Sequence, residues 1–273
     1  MSTGPEPWLG FCREAVEDVR GQLAALPTRV EREPVVGDGA GGDETTAIDA
    51  AAEAAIVARL EQLHADGHDF HLVSEELGER TFGTADATRV LVDPIDGSMN
   101  AKRGIPYFSL SIAVADGARM EDVHFGYVYD FGTGEEWTAT RGEGAWLDGQ
   151  RLGGLRPKEQ IELLGVEATV SGAVADKAVA FAGFAKRLRI MGSLALSLCH
   201  LAAGRLDAVC SLKEARAVDI AAAQLLLQEC SLPIVFADAG PFGSAPLDSA
   251  ARSPVAAAGT QELADRLAHI VAT

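Results

Sequence analysis

The sequence predicts a layered α/β fold with large sheets. Three observations carry that expectation: two long helical patterns open the chain, short strands in hairpin order follow, and strands alternate with helices through the second half. The composition agrees. With 48% hydrophobic and 23% charged residues beside 29 Gly and 11 Pro, collagen-like and disordered chains are excluded. At 273 residues the chain has ample material for a core, in one large unit or two modest ones.

The first helical pattern, Leu9 to Leu26, stops at Pro27. A glycine-rich stretch, Gly37-Asp38-Gly39-Ala40-Gly41-Gly42, reads either as a plain flexible loop or as a flap over a site. The second helix covers Thr46 to His64, where Thr46 and Asp49 have the spacing of a capping box. Strands are expected at Phe70 to Ser74, Val90 to Val92, Phe108 to Val114, Val123 to Asp130 and Glu136 to Thr140, and Asp148-Gly149 is a hairpin turn. Later, Ile161 to Val166 and Leu188 to Met191 read as strands, alternating with helices over Ser193 to Ala203 and Val218 to Glu229. A strand at Pro254 to Ala258 and a helix at Gln261 to Val271 close the chain.

The formal charge of −17, from 23 basic and 40 acidic residues, argues against a nucleic-acid partner and against anionic membrane surfaces. Only five of the basic residues are Lys, and such a surface suits either a high-salt cytoplasm or an Arg-favouring genome. No apolar run approaches the ~18 residues of a membrane span, and Met1 to Phe11 lacks the pattern of a signal peptide. Cys12, Cys199, Cys210 and Cys230 show no clip spacing, so reduced thiols in a cytoplasmic protein are expected. His64, His68 and His71 straddle a helix end, a turn and a strand, and read as a solvated connector.

The densest chemical signal is Val92-Asp93-Pro94-Ile95-Asp96-Gly97-Ser98. Asp93 ends an apolar strand, and Pro94 and Gly97 force a turn that lets Asp93 and Asp96 converge. Ser98 has the composition of a helix N-cap, beside amides suited to an anion. Two hard oxygen donors beside an anion site suit a magnesium-dependent phosphate enzyme, while a tight turn with two solvated aspartates is the plainer alternative. Glu75-Glu76 after a strand, Asp219 at the head of an apolar helix and Asp49 in its capping box are weaker candidates singly.

Together these segments resemble the inositol monophosphatase family of lithium-sensitive, magnesium-dependent phosphatases, which includes fructose-1,6-bisphosphatases. The resemblance rests on Gly42 to Asp49, Val73 to Gly78, Asp93 to Ser98 followed by Asn100 and Gly104-Ile105-Pro106, Gly142 to Gly149, and Gly192-Ser193 through Gly204 with Asp219. It runs from about residue 10 to 265 and is closest to the archaeal branch, which shares Arg-Ala-Val-Asp around Asp219. It implies an αβαβα sandwich acting as a single unit over 1–273. An N-terminal α+β half (1–150) would carry Glu75, Asp93 and Asp96, and a C-terminal α/β half (151–273) would carry Asp219.

The resemblance also implies two or three Mg²⁺ held by Glu75, Asp93, the Ile95 carbonyl, Asp96 and Asp219, with Asp49 and the Ser98 hydroxyl as the pair that orients and deprotonates water. Ser98 stands where threonine is usual and keeps the hydroxyl; Val218 stands where many members have tryptophan. Substrate contacts fall on Gly97, Ser98, Gly192, Ser193 and Leu194, with Arg189 and Lys213 as cations for a distal phosphate. The expected activity is hydrolysis of inositol-1-phosphate, fructose-1,6-bisphosphate or both, by a cytoplasmic homodimer. The alternatives are a 3'(2'),5'-bisphosphate nucleotidase and a non-catalytic regulatory member of the family.

Overall fold

Among the described residues, two large sheets and three pairs of long helices alternate in five layers, in agreement with the layered α/β expectation. The structure, a computed structural model, describes residues 6–40, 42, 44–84, 88–154, 156, 158, 160–167 and 170–273. Residues 1–5 of the leader reading, Gly41 of the flap reading and Asp43 of the first motif lie outside the described residues.

The larger sheet has eight strands, in the order Gln150–Arg151, Gly144–Leu147, Glu136–Thr140, Val123–Asp130, Ser109–Ala115, Arg89–Asp96, Phe70–Ser74 and Gly78–Phe82. One pairing within it is parallel, between Phe70–Ser74 and Arg89–Asp96, and its register sets Ser74 against Val92. Two chain segments therefore leave the sheet side by side at the same edge, one into Glu75 and the other into Asp93. Pairing of the next strand breaks between Asp93 and Asp96, which frees Pro94 and Ile95 from the ladder. The five-stranded sheet runs Ala185–Arg189, Ile161–Glu167, Ala208–Ser211, Val255–Ala258, Ile234–Phe236.

Helices Glu6–Ala25 and Ala47–Ala65 cover the outer face of the large sheet, packing Phe11, Val19, Ile48, Ile56 and Leu60 against Leu72, Val90, Val92 and Ile112. Helices Leu194–Ala202 and Ala217–Glu229 fill the space between the sheets. Leu196, Leu198, Leu225 and Leu227 meet Leu91 and Val128 on one side and Val209 and Ala257 on the other. Both helices are apolar all round because both of their faces are covered. Helices Ser171–Phe184 and Gln261–Ala272 close the far face of the small sheet through Phe181, Leu263 and Leu267.

Several expectations shift. The strand expected at Leu188 to Met191 lies at Ala185–Arg189, since the parallel register against Ile161–Glu167 favours the segment joined directly to the preceding helix. Strand Gly78–Phe82 and helix Ser171–Phe184 were not expected at all. Ser98 is the first residue of the short helix Ser98–Arg103, whose cap is Gly97 at φ 100°. A Cβ at residue 97 would also stand 2.9 Å from the Gly192 carbonyl, so glycine is required both by conformation and by close approach. The four cysteines are unpaired, and His71 bonds Thr81 and Glu79 as an ordinary surface residue.

Candidate active site

A cavity of about 280 Å³ opens where the ends of both sheets meet the start of helix Ala217–Glu229. Its walls bring together Asp49, Glu75, Asp93, Ile95, Asp96, Gly97, Ser98, Gly192, Leu194, Lys213 and Asp219 from five separate segments. Arg189 is not among the lining residues. Its side chain is exposed and donates to the Leu188 carbonyl at 2.9 Å. Ser193 is buried behind the wall and caps helix Leu194–Ala202, accepting from the Leu196 amide.

Glu75, Asp93 and Asp219 each offer an oxygen within 4.8 Å of the others. Asp93 is 1% exposed and accepts from the Ile95 amide at 3.0 Å, an Asx turn that locks the Pro94-Ile95 bend. Burial first, and the neighbouring carboxylates second, push the Asp93 pKa well above its ordinary value. Burial raises Glu75 too, partly offset by Arg216. Carboxylates gathered in this way are short of positive charge, and their hard oxygens suit a divalent cation such as Mg²⁺. The residues fit that group.

Asp96 lines the same cavity but is not part of that trio. Its Oδ2 accepts from Ser193 Oγ at 2.5 Å and from the Ala195 amide at 2.7 Å, at the N-terminus of helix Leu194–Ala202. Burial still raises it to about 7, against those hydrogen bonds. The expected pairing of Asp49 with Ser98 also differs. The Ser98 hydroxyl donates to the Ile95 carbonyl at 3.0 Å, because as a first-turn residue it folds back on the preceding turn. Asp49 accepts from Thr46 through Oδ2 alone, and its buried Oδ1 has no partner among the described residues.

Arg216 was not singled out as functional by the sequence reading. It occupies the N-cap of helix Ala217–Glu229, a position normally held by Ser, Thr, Asp or Asn, and that mismatch three residues before an aspartate was the available signal. Its Nη2 donates to Glu75 Oε1 at 2.5 Å and to Asp219 Oδ1 at 2.9 Å, and its backbone amide caps Asp219 Oδ2 at 2.8 Å. Burial alone would lower its pKa, but Asp219 and Glu75 outweigh burial and hold it raised. Lys102 also lines the cavity, one turn into the helix that follows Gly97.

Glu167 ends strand Ile161–Glu167 and accepts from the Gly192 amide at 2.8 Å and from Ser197 Oγ at 2.6 Å, so it fixes the cavity wall at Gly192. Burial raises its pKa to about 7. A carboxylate with a raised folded pKa binds more protons folded than unfolded between its ordinary value and about 7, so stability falls as pH rises through that window. Glu167→Gln should remove that loss. Between pH 5 and 8 the variant's unfolding free energy should decline by about 2 kcal/mol less than the parent's, read from denaturant melts. Parallel pH profiles would contradict the assignment.

The family model described as "Inositol monophosphatase family" matches residues 10–273. The fructose-1,6-bisphosphatase/inositol-1-monophosphatase of Methanothermobacter thermautotrophicus is 31% identical over 270 residues, covering 95% of each chain. The Nus factor SuhB of Pasteurella multocida is 35% identical over 68% of this chain and 69% of its own. Among solved structures, an inositol monophosphatase–fructose 1,6-bisphosphatase matches with a TM-score of 0.82 at 26% identity, over 96% of this chain and 99% of its own.

Proposed function

The chain belongs to the inositol monophosphatase family, a family of phosphatases, and from that premise we propose that it hydrolyses a sugar or inositol phosphate monoester with Mg²⁺. The observation that carries the reading is the convergence of Glu75, Asp93 and Asp219 within 4.8 Å at the floor of a cavity of about 280 Å³. These three carboxylates would hold two or three Mg²⁺ together with the Ile95 carbonyl and the remaining oxygen of Asp96. Bound there, the cations would neutralise phosphate charge and make a water acidic enough to attack phosphorus near neutral pH.

The chain's own residues supply the rest. Asp49 Oδ1, buried and without a partner among the described residues, takes the proton of the attacking water. Thr46 holds the other oxygen of that carboxylate and so fixes its orientation. The Ser98 hydroxyl orients the Ile95 carbonyl, and the Gly97 and Ser98 amides meet phosphate oxygens. Gly192 and Leu194 form the wall against the sugar ring. Lys213 and Lys102 line the cavity and suit the distal phosphate of a bisphosphate, and Arg189 is not among the lining residues.

No described helix is long and apolar enough to cross a membrane. Four unpaired cysteines fit a reducing cytoplasm, and the reading includes a homodimer. The discriminating experiment compares phosphate release from inositol-1-phosphate, fructose-1,6-bisphosphate and adenosine 3',5'-bisphosphate. Turnover of either of the first two should exceed that of the nucleotide by at least about tenfold, a difference of about 1.4 kcal/mol in transition-state binding. Dominant nucleotide turnover would assign the chain as a bisphosphate nucleotidase instead.

A further inference from the structure

We propose that Arg216 is a resident counter-cation: it holds the acidic cluster together before a divalent ion arrives, and by competing for Glu75 and Asp219 it sets the affinity of the site for that ion. The inference rests on the reading of the cluster as a divalent-cation site. One guanidinium bridges two of the three carboxylates, through Nη2 to Glu75 and through Nε and Nη2 to Asp219. Its side chain is 8% exposed, so the bridge is shielded from solvent.

The backbone is fixed on both sides. Arg216 pairs with Arg252 in a two-stranded ribbon and caps the helix that carries Asp219. A cation between the three carboxylates and a guanidinium across two of them draw on the same side chains. Both cannot be satisfied at full strength. Meanwhile Nη1 is buried with no partner among the described residues. A guanidinium serving only as a structural pair would have that donor bonded, since an unmet buried donor is costly. The arrangement is one that a stronger cation can displace.

Three carboxylates against one guanidinium leave the cluster attractive to Mg²⁺, while the arginine weakens that attraction. The test is calorimetric titration of Mg²⁺ into metal-stripped parent, Arg216→Met and Arg216→Lys proteins, with thermal melts in EDTA. Arg216→Met should bind Mg²⁺ at least about tenfold more tightly than the parent and melt lower in EDTA. Arg216→Lys, which keeps the charge but loses the fork, should fall between the two in both measurements.

Equal or weaker Mg²⁺ binding by Arg216→Met, or an unchanged EDTA melt, overturns the proposal. If Arg216→Met does not fold without metal, Arg216→Lys decides: tighter binding than the parent supports the competition, and equal or weaker binding overturns it. Absence of Mg²⁺ binding in parent and variants alike would instead remove the divalent-cation reading itself, and the inference with it.

Discussion

Asp93→Asn is expected to lower chelator-sensitive phosphate release by about 10³-fold while leaving the metal-free protein at least as stable as the parent. The carboxylate is 1% exposed, lies against Glu75 and Asp219, and has its charged form disfavoured by burial before anything else. Asparagine is nearly the same shape and can still accept from the Ile95 amide, so the turn survives. What is lost is one hard anionic donor, and with it several kcal/mol of transition-state charge stabilisation, which corresponds to about 10³ in rate. What is gained without metal is relief of like-charge crowding. Melts in EDTA beside a phosphate-release assay check both halves. A variant that melts well below the metal-free parent would mean that Asp93 serves the fold and not the chemistry.

Gly126→Ala should be strongly damaging to the fold. Gly126 lies in strand Val123–Asp130, and a Cβ there would sit 2.6 Å from the Ala222 carbonyl oxygen and 3.2 Å from Ala222 Cα. Both are backbone atoms of the helix that carries Asp219, so no side-chain rotation relieves the clash. The helix must lift, losing contacts between the two sheets. A cost of about 3 kcal/mol follows, which is about 8 °C in melting temperature for a chain of this size. Because the same helix positions Asp219, Mg²⁺ affinity should fall with stability. Gly10→Ala is the control. Nothing lies within 4 Å of its Cβ position, on an exposed face of the first helix, and it should be neutral or slightly stabilising. Equal melting of Gly126→Ala and the parent would contradict the packing.

Much of the site was legible because its chemistry is local. Asp93, Ile95, Asp96, Gly97 and Ser98 lie in one turn whose residue types declare the bend, and the structure bends there. Glu75 and Asp219 are weak candidates singly and are joined to the site only through the resemblance, since their meeting depends on a parallel register between Phe70–Ser74 and Arg89–Asp96 and on the distant helix Ala217–Glu229, neither of which has a local signature. The strand at Arg189 is hard to read for a related reason. The strand that ends there is an edge strand carrying Lys186 and Arg187, so its alternation is weak and its start was read three residues late.

Helix Ser171–Phe184 escaped notice because most of its surface is exposed Ala and Gly, with only Phe181 and Phe184 buried, so no apolar stripe marks it. Strand Gly78–Phe82 is polar at its centre because it too is an edge. Arg216 was overlooked because its role appears only when Glu75 is brought to it from the other sheet edge.

The central claim is that this cavity hydrolyses a phosphate monoester by using a divalent cation on the Glu75, Asp93 and Asp219 carboxylates. The most direct measurement is phosphate release from inositol-1-phosphate by the purified protein, first with Mg²⁺, then with excess EDTA, then after Mg²⁺ is restored. The account predicts release that EDTA stops and Mg²⁺ recovers. Release that continues unchanged in EDTA, or no release from any phosphate monoester in the presence of Mg²⁺, would contradict it.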